Sequence, residues 1–231
     1  MSTVDDDPVV QRDEDAADSA REQAQPTMPR AHQALYFYGV TRARTWRGGR
    51  ISAVEADVVR MRYRDVEALV APTSYDLPPL DEDHLLAHQR VLEAAMHRGT
   101  VVPAPYGIVF RGRRQLIRML QDQYVPLDEG LSFLDGHWEL RMHVSPALPG
   151  ESAPELADLA MQLYSEMRGY ARAAVPFPAD SRRLVSAAFL VERTAWIEFV
   201  ERSDDLGAAH PELVLDVTGP WPAYDFVHIA P

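Results

Sequence analysis

The chain has 231 residues, of which 46% are hydrophobic, and 35 acidic against 23 basic side chains give it a formal net charge of −12. A chain of this length forms one large core or two modest ones. The negative charge argues against nucleic acid as a partner. The lack of cysteine excludes disulfides, thiolate nucleophiles and cysteine-ligated zinc. No stretch has the ~18 consecutive apolar residues of a membrane span.

The first 32 residues are acidic and contain no aromatic side chain. Such a segment buries too little apolar surface to offset the entropy of ordering, so residues 1–32 are expected to form a disordered tail. The opening sequence MSTVDDDPVV has neither the basic start nor the apolar stretch of a secretory signal. The sequence therefore predicts a cytoplasmic protein.

A first domain, residues 33–146, is predicted from a succession of strand and helix patterns. Apolar runs bounded by glycine, proline or short polar breaks indicate strands, and apolar residues recurring at spacings of three and four indicate helices. Asp81 is a good N-cap for the first of these helices. In chain order, the predicted elements are a central strand at 35–40, paired antiparallel strands at 58–63 and 66–70, a helix at 81–98, an edge strand at 100–110, helices at 111–123 and 127–134, and a strand at 138–144.

Two of these strands have features that bear on function. Pro103 and Pro105 lie two residues apart, so both missing backbone donors would face the same edge, which is typical of an edge or bulged strand. In the last strand, apolar residues alternate with Glu139, Arg141 and His143. This alternation predicts one face toward the core and a polar face toward solvent.

Three prolines and a glycine between residues 146 and 154 mark the predicted boundary of a second module, residues 147–231. Its predicted elements are a helix at 154–174, a strand at 186–192, a helix at 194–206 and a strand at 212–219. That strand delivers the chain into GPWPAYDFV, where two prolines forbid a helix or an interior strand. We expect this segment either to pack back on its own domain and close it, or to leave part of its aromatic face for a partner.

Candidate catalytic and metal-binding residues are sparse. His84 and His88 have a spacing that zinc enzymes use, but the sequence HLLAH lacks the glutamate that acts as base between the two ligands. His88 lies on the apolar face of its helix and is interpreted as a hydrogen-bonded core or edge residue. The sequence has no G-x-S-x-G motif, no phosphate-binding loop and no dinucleotide fingerprint. We therefore predict no catalytic residue, no metal site and no cofactor.

Several motifs taken together resemble the GvpF/GvpL family of gas vesicle proteins over residues 34–228. They are LYFYG at the first strand, H-x-x-V-L-E in the following helix, TVVPAPYGIVF, WELRM, AFLV, and the terminal GPWPAYDFV, which is the most specific. Tyr106 stands where the family usually has phenylalanine, and Arg141 with Met142 where a lysine is common. These departures do not alter the resemblance to the family. They leave undecided whether the chain resembles GvpF or GvpL more closely.

The resemblance implies an α+β fold, with a modified ferredoxin-like N-terminal domain and a smaller α/β C-terminal module closed by the extended proline-aromatic tail. It also implies a gas vesicle accessory or minor structural protein that binds the very hydrophobic shell protein, of the GvpA type, and limits its aggregation while the vesicle nucleates. Such a protein needs an apolar or strand-edge surface and enough charge to stay dissolved. The residues expected at that surface are Pro103, Tyr106, Phe110, Trp221, Tyr224 and Phe226.

Two alternatives to shell-protein binding are left open by the sequence. A ferredoxin-like sheet also hosts small-molecule enzymes, which would need a concave pocket with converging polar groups. The second alternative is a scaffold that binds other accessory proteins of the vesicle. This function differs from shell-protein binding only in its partner.

Overall fold

The structure, a computed structural model, describes residues 34–43, 58–76, 78–148, 154–178 and 182–229. These residues form two antiparallel sheets and five helices. Within the same ranges, every helix is too short or too polar to span a lipid bilayer. The tail predicted over residues 1–32 lies outside the described residues.

The first sheet is built around its first strand. It contains β1 (Ala34–Arg42), β2 (Val59–Tyr63), β3 (Val66–Thr73), β4 (Val101–Pro103) and β5 (Val109–Phe110). The strand order is β2-β3-β1-β4, and β5 also pairs with β1, so the prediction of a central strand is confirmed. Leu35 and Phe37 point to one core, whereas Tyr36 and Tyr38 point to another. A strand covered on both faces has no position for a solvated residue, which explains the lack of polar alternation in LYFY.

Helices cover both faces of this sheet: α1 (Glu82–Met96) lies on one side, and α2 (Arg113–Asp122) and α3 (Tyr124–Leu134) lie on the other. The start of α1 agrees with the prediction, because the Asp81 side chain accepts the backbone N–H of His84 at 3.0 Å. Leucines of α2 and α3 pack with Leu35 and Phe37 in one core. Residues of the second half of α1 pack with the tyrosines in the other core.

The run at 100–110, predicted as one edge strand, forms two short strands. β4 pairs with β1 at Gly39–Thr41, and β5 pairs with β1 at Leu35 and Tyr36. Between them the chain leaves the sheet and brings the Tyr106 ring to 5.6 Å from the ring of His88 on α1. β4 ends the strand order of the sheet, in agreement with the predicted edge position.

The second sheet contains β6 (His137–Pro146), β7 (Ala173–Pro176), β8 (Val185–Glu192) and β9 (Leu213–Trp221), with α4 (Pro154–Arg168) after β6 and α5 (Trp196–Ala209) after β8. Its strand order is β7-β8-β6-β9. Both helices pack on one face, where Leu163, Phe199 and Leu206 meet Phe189. α4 ends at Arg168, so it is shorter than the helix predicted at 154–174 and leaves room for β7.

The predicted α+β class is confirmed. The second sheet has the chain order βαββαβ of a ferredoxin-like fold. The first sheet has the same relative strand order, because β2-β3-β1-β4 corresponds to β7-β8-β6-β9, and residues 44–57 between β1 and β2 lie outside the described residues. This order agrees with the modified ferredoxin-like domain that the resemblance implies. β6 lies before the predicted boundary at residue 146 but pairs with β8 and β9 beyond it. Alternation along a sequence indicates a strand but does not identify its partners. The division of the chain at residues 146 and 147 stays a prediction.

Candidate functional site

Strand β9 contains a tightly fitted glycine near its end. Gly219 has a φ of +121°, and a Cβ atom there would lie 3.0 Å from the backbone oxygen of Glu139. Both constraints favour a residue without a side chain. Trp221 then pairs with Glu139, and its indole Nε1 donates to Thr218 Oγ1 at 3.2 Å. Since β9 ends the strand order of its sheet, the proline of this segment lies in an edge strand, where its missing donor is tolerated.

The tail, defined here as residues 222–229, returns from β9 to the first core. Ala223 and Ile229 are buried in the core that α2 and α3 form against β1, and Val227 packs against it. Val227 lies over a helical glycine: a Cβ atom on Gly130 of α3 would lie 2.7 Å from Val227 Cγ1. The segment therefore packs back on the protein, as one of the two predicted alternatives requires, but on the first core rather than on its own module.

A polar clasp, formed by Glu139, Arg141 and Asp225, fixes the tail to β6. Glu139 Oε1 accepts from Arg141 Nε at 2.8 Å, and Glu139 Oε2 accepts the backbone N–H of Asp225 at 3.0 Å. Arg141 Nη2 also donates to Asp225 Oδ2 at 2.8 Å. Glu139 is 0% exposed, so the prediction of a solvated face is wrong for this residue, because the tail covers it. Burial raises the pKa of Glu139, the Asp225 carboxylate adds to this rise, and Arg141 opposes it.

The six residues predicted for partner binding do not form one exposed patch. Pro103 and Phe110 are buried, whereas Tyr106, Trp221, Tyr224 and Phe226 are half-buried. Tyr106 and Tyr224 pack against the core on the α1 side of the first sheet. Phe226 packs against the core on the opposite side, with α2 and α3. A partner would reach the half-buried aromatic residues and not the two buried ones.

A cleft that sequence reasoning missed opens beside α1 and the end of β3. Its volume is about 570 Å³. We call it the tyrosine cleft, because Tyr36, Tyr38 and Tyr106 line it together with His88. The Tyr38 ring stacks on His88 at 5.4 Å, and the Tyr36 and Tyr106 rings each meet His88 edge-on at 5.6 Å. Tyrosines at alternate positions of LYFY were the available signal, but nothing in the sequence shows which helix faces them.

His88 is a neutral residue with both ring nitrogens engaged. Its Nε2 lies 3.1 Å from the carbonyl oxygen of Ala104, which can only accept, so Nε2 carries the proton. Nδ1 then accepts from the Tyr36 hydroxyl at 2.8 Å, whose oxygen accepts the Gly107 N–H at 3.3 Å. Burial lowers the pKa of His88 to about 4. The interpretation of His88 as a hydrogen-bonded core residue is confirmed.

The metal hypothesis gains no support from the geometry around these histidines. His84 Nδ1 lies 2.7 Å from Asp81 Oδ1, at the capped start of α1, while His88 binds Tyr36 and Ala104. Across the part of the chain that the structure describes, no group of three or more histidine, aspartate or glutamate side chains is arranged to hold a metal ion.

Comparison with known proteins covers both sheets and the tail. The family model described as "Gas vesicle synthesis protein GvpL/GvpF" matches residues 34–153 and 150–228. The chain belongs to the GvpL/GvpF family. The GvpL/GvpF resemblance based on the sequence motifs is thereby confirmed, and the match extends through the tail to the residue before Ile229.

Individual GvpL/GvpF proteins resemble the chain at modest identity. It is 29% identical over 172 residues to gas vesicle protein F2 of Halobacterium salinarum, with 72% of this chain and 78% of that protein covered. It is 26% identical over 202 residues to gas vesicle protein L of a Streptomyces species, with 69% and 75% covered. The crystal structure of GvpF from an Anabaena species matches 86% of this chain and 98% of its own with a TM-score of 0.74 at 16% identity, which shows a shared fold.

Proposed function

We propose that this GvpL/GvpF protein is an accessory or minor structural protein of the gas vesicle that binds the hydrophobic shell protein. In this role it limits aggregation of the shell protein and assists nucleation and assembly of the vesicle. Membership of the family supports the gas vesicle as its setting. The observation that carries the proposal is the end of β9, where a strand edge and aromatic side chains are both accessible.

The edge of β9 suits an apolar, extended partner. Among the described residues, β9 pairs with β6 alone, so its other side presents backbone donors and acceptors. Val214 on this strand is 52% exposed, and Trp221 at its end is half-buried. A strand of the shell protein added at this edge would form main-chain hydrogen bonds and place apolar side chains against Val214 and Trp221.

The charge of the protein suits the same role. A holder of very apolar subunits must itself stay dispersed, and a formal charge of −12 makes complexes repel one another. Holding an apolar subunit needs no covalent chemistry, so the proposed role is non-enzymatic. We place the protein in the cytoplasm and at the gas vesicle, where the shell protein assembles.

Co-expression with the shell protein, followed by pull-down, tests the proposal. Trp221→Ala and Tyr224→Ala each remove a large aromatic contact and are expected to reduce the retained shell protein at least about fivefold, as aromatic anchors at interfaces do. Val214→Lys places a charge on the exposed edge of β9 without touching a core, and the same reduction is expected. Circular dichroism confirms that each variant is folded.

Tyr170→Ala is the matched control, because Tyr170 is an exposed tyrosine that follows α4. It is expected to retain shell protein at the level of the unaltered protein. Folded Trp221→Ala, Tyr224→Ala and Val214→Lys variants that retain shell protein like the control would refute this binding surface. Recovery of another accessory vesicle protein in place of the shell protein would overturn the choice of partner.

A further inference from the structure

The tyrosine cleft is lined by a hydroxyl group for which the described residues supply no hydrogen bond. Tyr38 is only 7% exposed and lines the cleft. Among the described residues, no hydrogen bond to its hydroxyl is found, and that hydroxyl is not sealed from solvent. Burial raises the pKa of Tyr38 to about 12, so the group keeps its proton and can donate at neutral pH. A donor at the wall of a cleft is available to a ligand that brings an acceptor.

The cleft has a proline-rich wall formed by the end of β3 and the segment just before α1. Pro72, Pro78 and Pro79 line the cleft, and none of them has a backbone N–H. This wall cannot complete the hydrogen-bond ladder that an added β-strand requires. A polyproline II segment needs no such ladder, since its carbonyl groups point outward and its rings dock on flat aromatic surfaces. The lining therefore favours an extended proline-containing segment over a strand.

The mouth of the cleft is acidic. Asp76 lines it and is exposed, and no ion pair to its carboxylate is found in the described part of the chain. The neighbouring Arg111 donates instead to the Tyr75 hydroxyl at 2.7 Å. Glu82 and Asp83 at the start of α1 add exposed negative charge nearby. This charge favours a ligand with a basic residue beside its prolines.

We propose that the tyrosine cleft binds an extended, polyproline-type segment of a partner protein that carries an arginine beside its prolines. The proline rings pack on Tyr36 and Tyr106, the Tyr38 hydroxyl donates to a backbone carbonyl, and the arginine pairs with Asp76. The cleft volume of about 570 Å³ lies within the usual range of ligand pockets. This site is separate from the edge of β9, and its test uses no shell protein, so either proposal can fail alone.

The test is a fluorescence anisotropy titration of the full chain against a labelled synthetic peptide, Pro-Pro-Ala-Pro-Pro-Ala-Arg. A peptide of equal charge with alanine for every proline is the matched probe, and we expect it to bind at least tenfold more weakly. Tyr38→Phe removes only the hydroxyl group and should weaken binding of the proline peptide about fivefold, the usual effect of one hydrogen bond. Asp76→Asn should weaken binding and reduce its salt dependence.

Tyr170→Phe and Asp158→Asn are the control variants, because they change an exposed tyrosine and an exposed aspartate on α4 or just after it. Equal binding of the two peptides, or proline-peptide binding unchanged by Tyr38→Phe and Asp76→Asn, overturns the proposal. The chain also has Pro26 and Pro29 ahead of Arg30. Tighter peptide binding by a Pro26→Ala, Pro29→Ala variant would identify this segment as the occupant and overturn the assignment to a partner.

Discussion

The backbone N–H of Asp225 donates to the fully buried Oε2 of Glu139 at 3.0 Å, across 86 residues of sequence. The other oxygen of Glu139 accepts from Arg141. A buried carboxylate depends on such partners, because water cannot reach it. The polar clasp therefore supplies the hydrogen bonds that Glu139 needs in order to be buried. It also fixes the position of the tail along β6, because Asp225 is bonded to Glu139.

Replacing Glu139 with alanine is expected to destabilise the protein strongly. The change leaves Arg141 and the Asp225 N–H without their buried partner, and removing one member of a buried pair costs about 3 kcal/mol. The loss is measured as the free energy of unfolding in urea, followed by circular dichroism. Glu166→Ala breaks the exposed ion pair with Arg202 and should cost less than about 1 kcal/mol. Equal losses in the two variants would show that burial of Glu139 has no special importance.

Adding one methyl group at Gly130 is expected to loosen the tail. A Cβ atom there would lie 2.7 Å from Val227 Cγ1, so the Val227 side chain, the tail or the helix must move. Gly130→Ala should lower the free energy of unfolding by about 1–3 kcal/mol, as overpacking does, and should accelerate amide hydrogen exchange over residues 223–229. Val227→Ala in the same protein should restore slow exchange.

Gly207→Ala is the control for that substitution. Gly207 lies in α5, and a Cβ atom there meets no atom within 4 Å. Alanine is a better helix former than glycine, so this variant should be unchanged or more stable by up to about 1 kcal/mol. Slow exchange in the tail of Gly130→Ala would contradict the close fit between α3 and Val227.

His88 is expected to make the protein less stable in mild acid. Its pKa of about 4 in the folded protein lies below the ordinary value of 6.5, so the unfolded chain binds a proton more readily. The stability that this group contributes is fully present above pH 6.5 and is lost as the pH falls toward 4, by up to about 3 kcal/mol. Nitrogen-15 NMR of the histidine side chains, with His88→Gln for assignment, measures the titration. A midpoint near 6.5, or a proton on Nδ1, would contradict the buried hydrogen bonds of this ring.

Arg42→Lys is expected to weaken the contact between β1 and α3. The Arg42 guanidinium donates to Asp65, to the side chain and carbonyl of Asp128, and to Ser132. A lysine ammonium cannot span these partners, so we expect a loss of about 1–2 kcal/mol and a fall in Tm of about 4 °C. Arg202→Lys on the surface should leave Tm nearly unchanged. Equal Tm values for the two variants would show that the several hydrogen bonds of the Arg42 guanidinium are not needed for stability.

Features that depend on neighbouring residues were predictable from the sequence. The antiparallel pair formed by β2 and β3 is confirmed, with Tyr63 opposite Val66 across the turn at Arg64 and Asp65. The start of α1 follows from the capping side chain of Asp81. In both cases the interacting groups are a few residues apart, so the sequence pattern contains the whole interaction.

Features that depend on distant residues were not predictable. Glu139 alternates with apolar neighbours like any solvated strand residue, and its cover arrives from Asp225. The tyrosine cleft needs Tyr36 and His88, which are 52 residues apart, to meet across the sheet and α1. The pairing of β6 with β8 and β9, across the predicted domain boundary, has the same origin. A single sequence gives the order of the side chains but does not show which distant residues come into contact.

The return of the tail to the first core has a consequence for synthesis of the protein. A nascent chain that has emerged only as far as Trp221 contains all the strands and helices that the structure describes, yet its first core still lacks Ala223 and Ile229. Synthesis must therefore continue through the tail before the core that contains Leu35 and Phe37 of β1 is complete. A stop codon directly after Trp221 would release a product whose first core lacks Ala223 and Ile229 and exposes the apolar side chains that they cover.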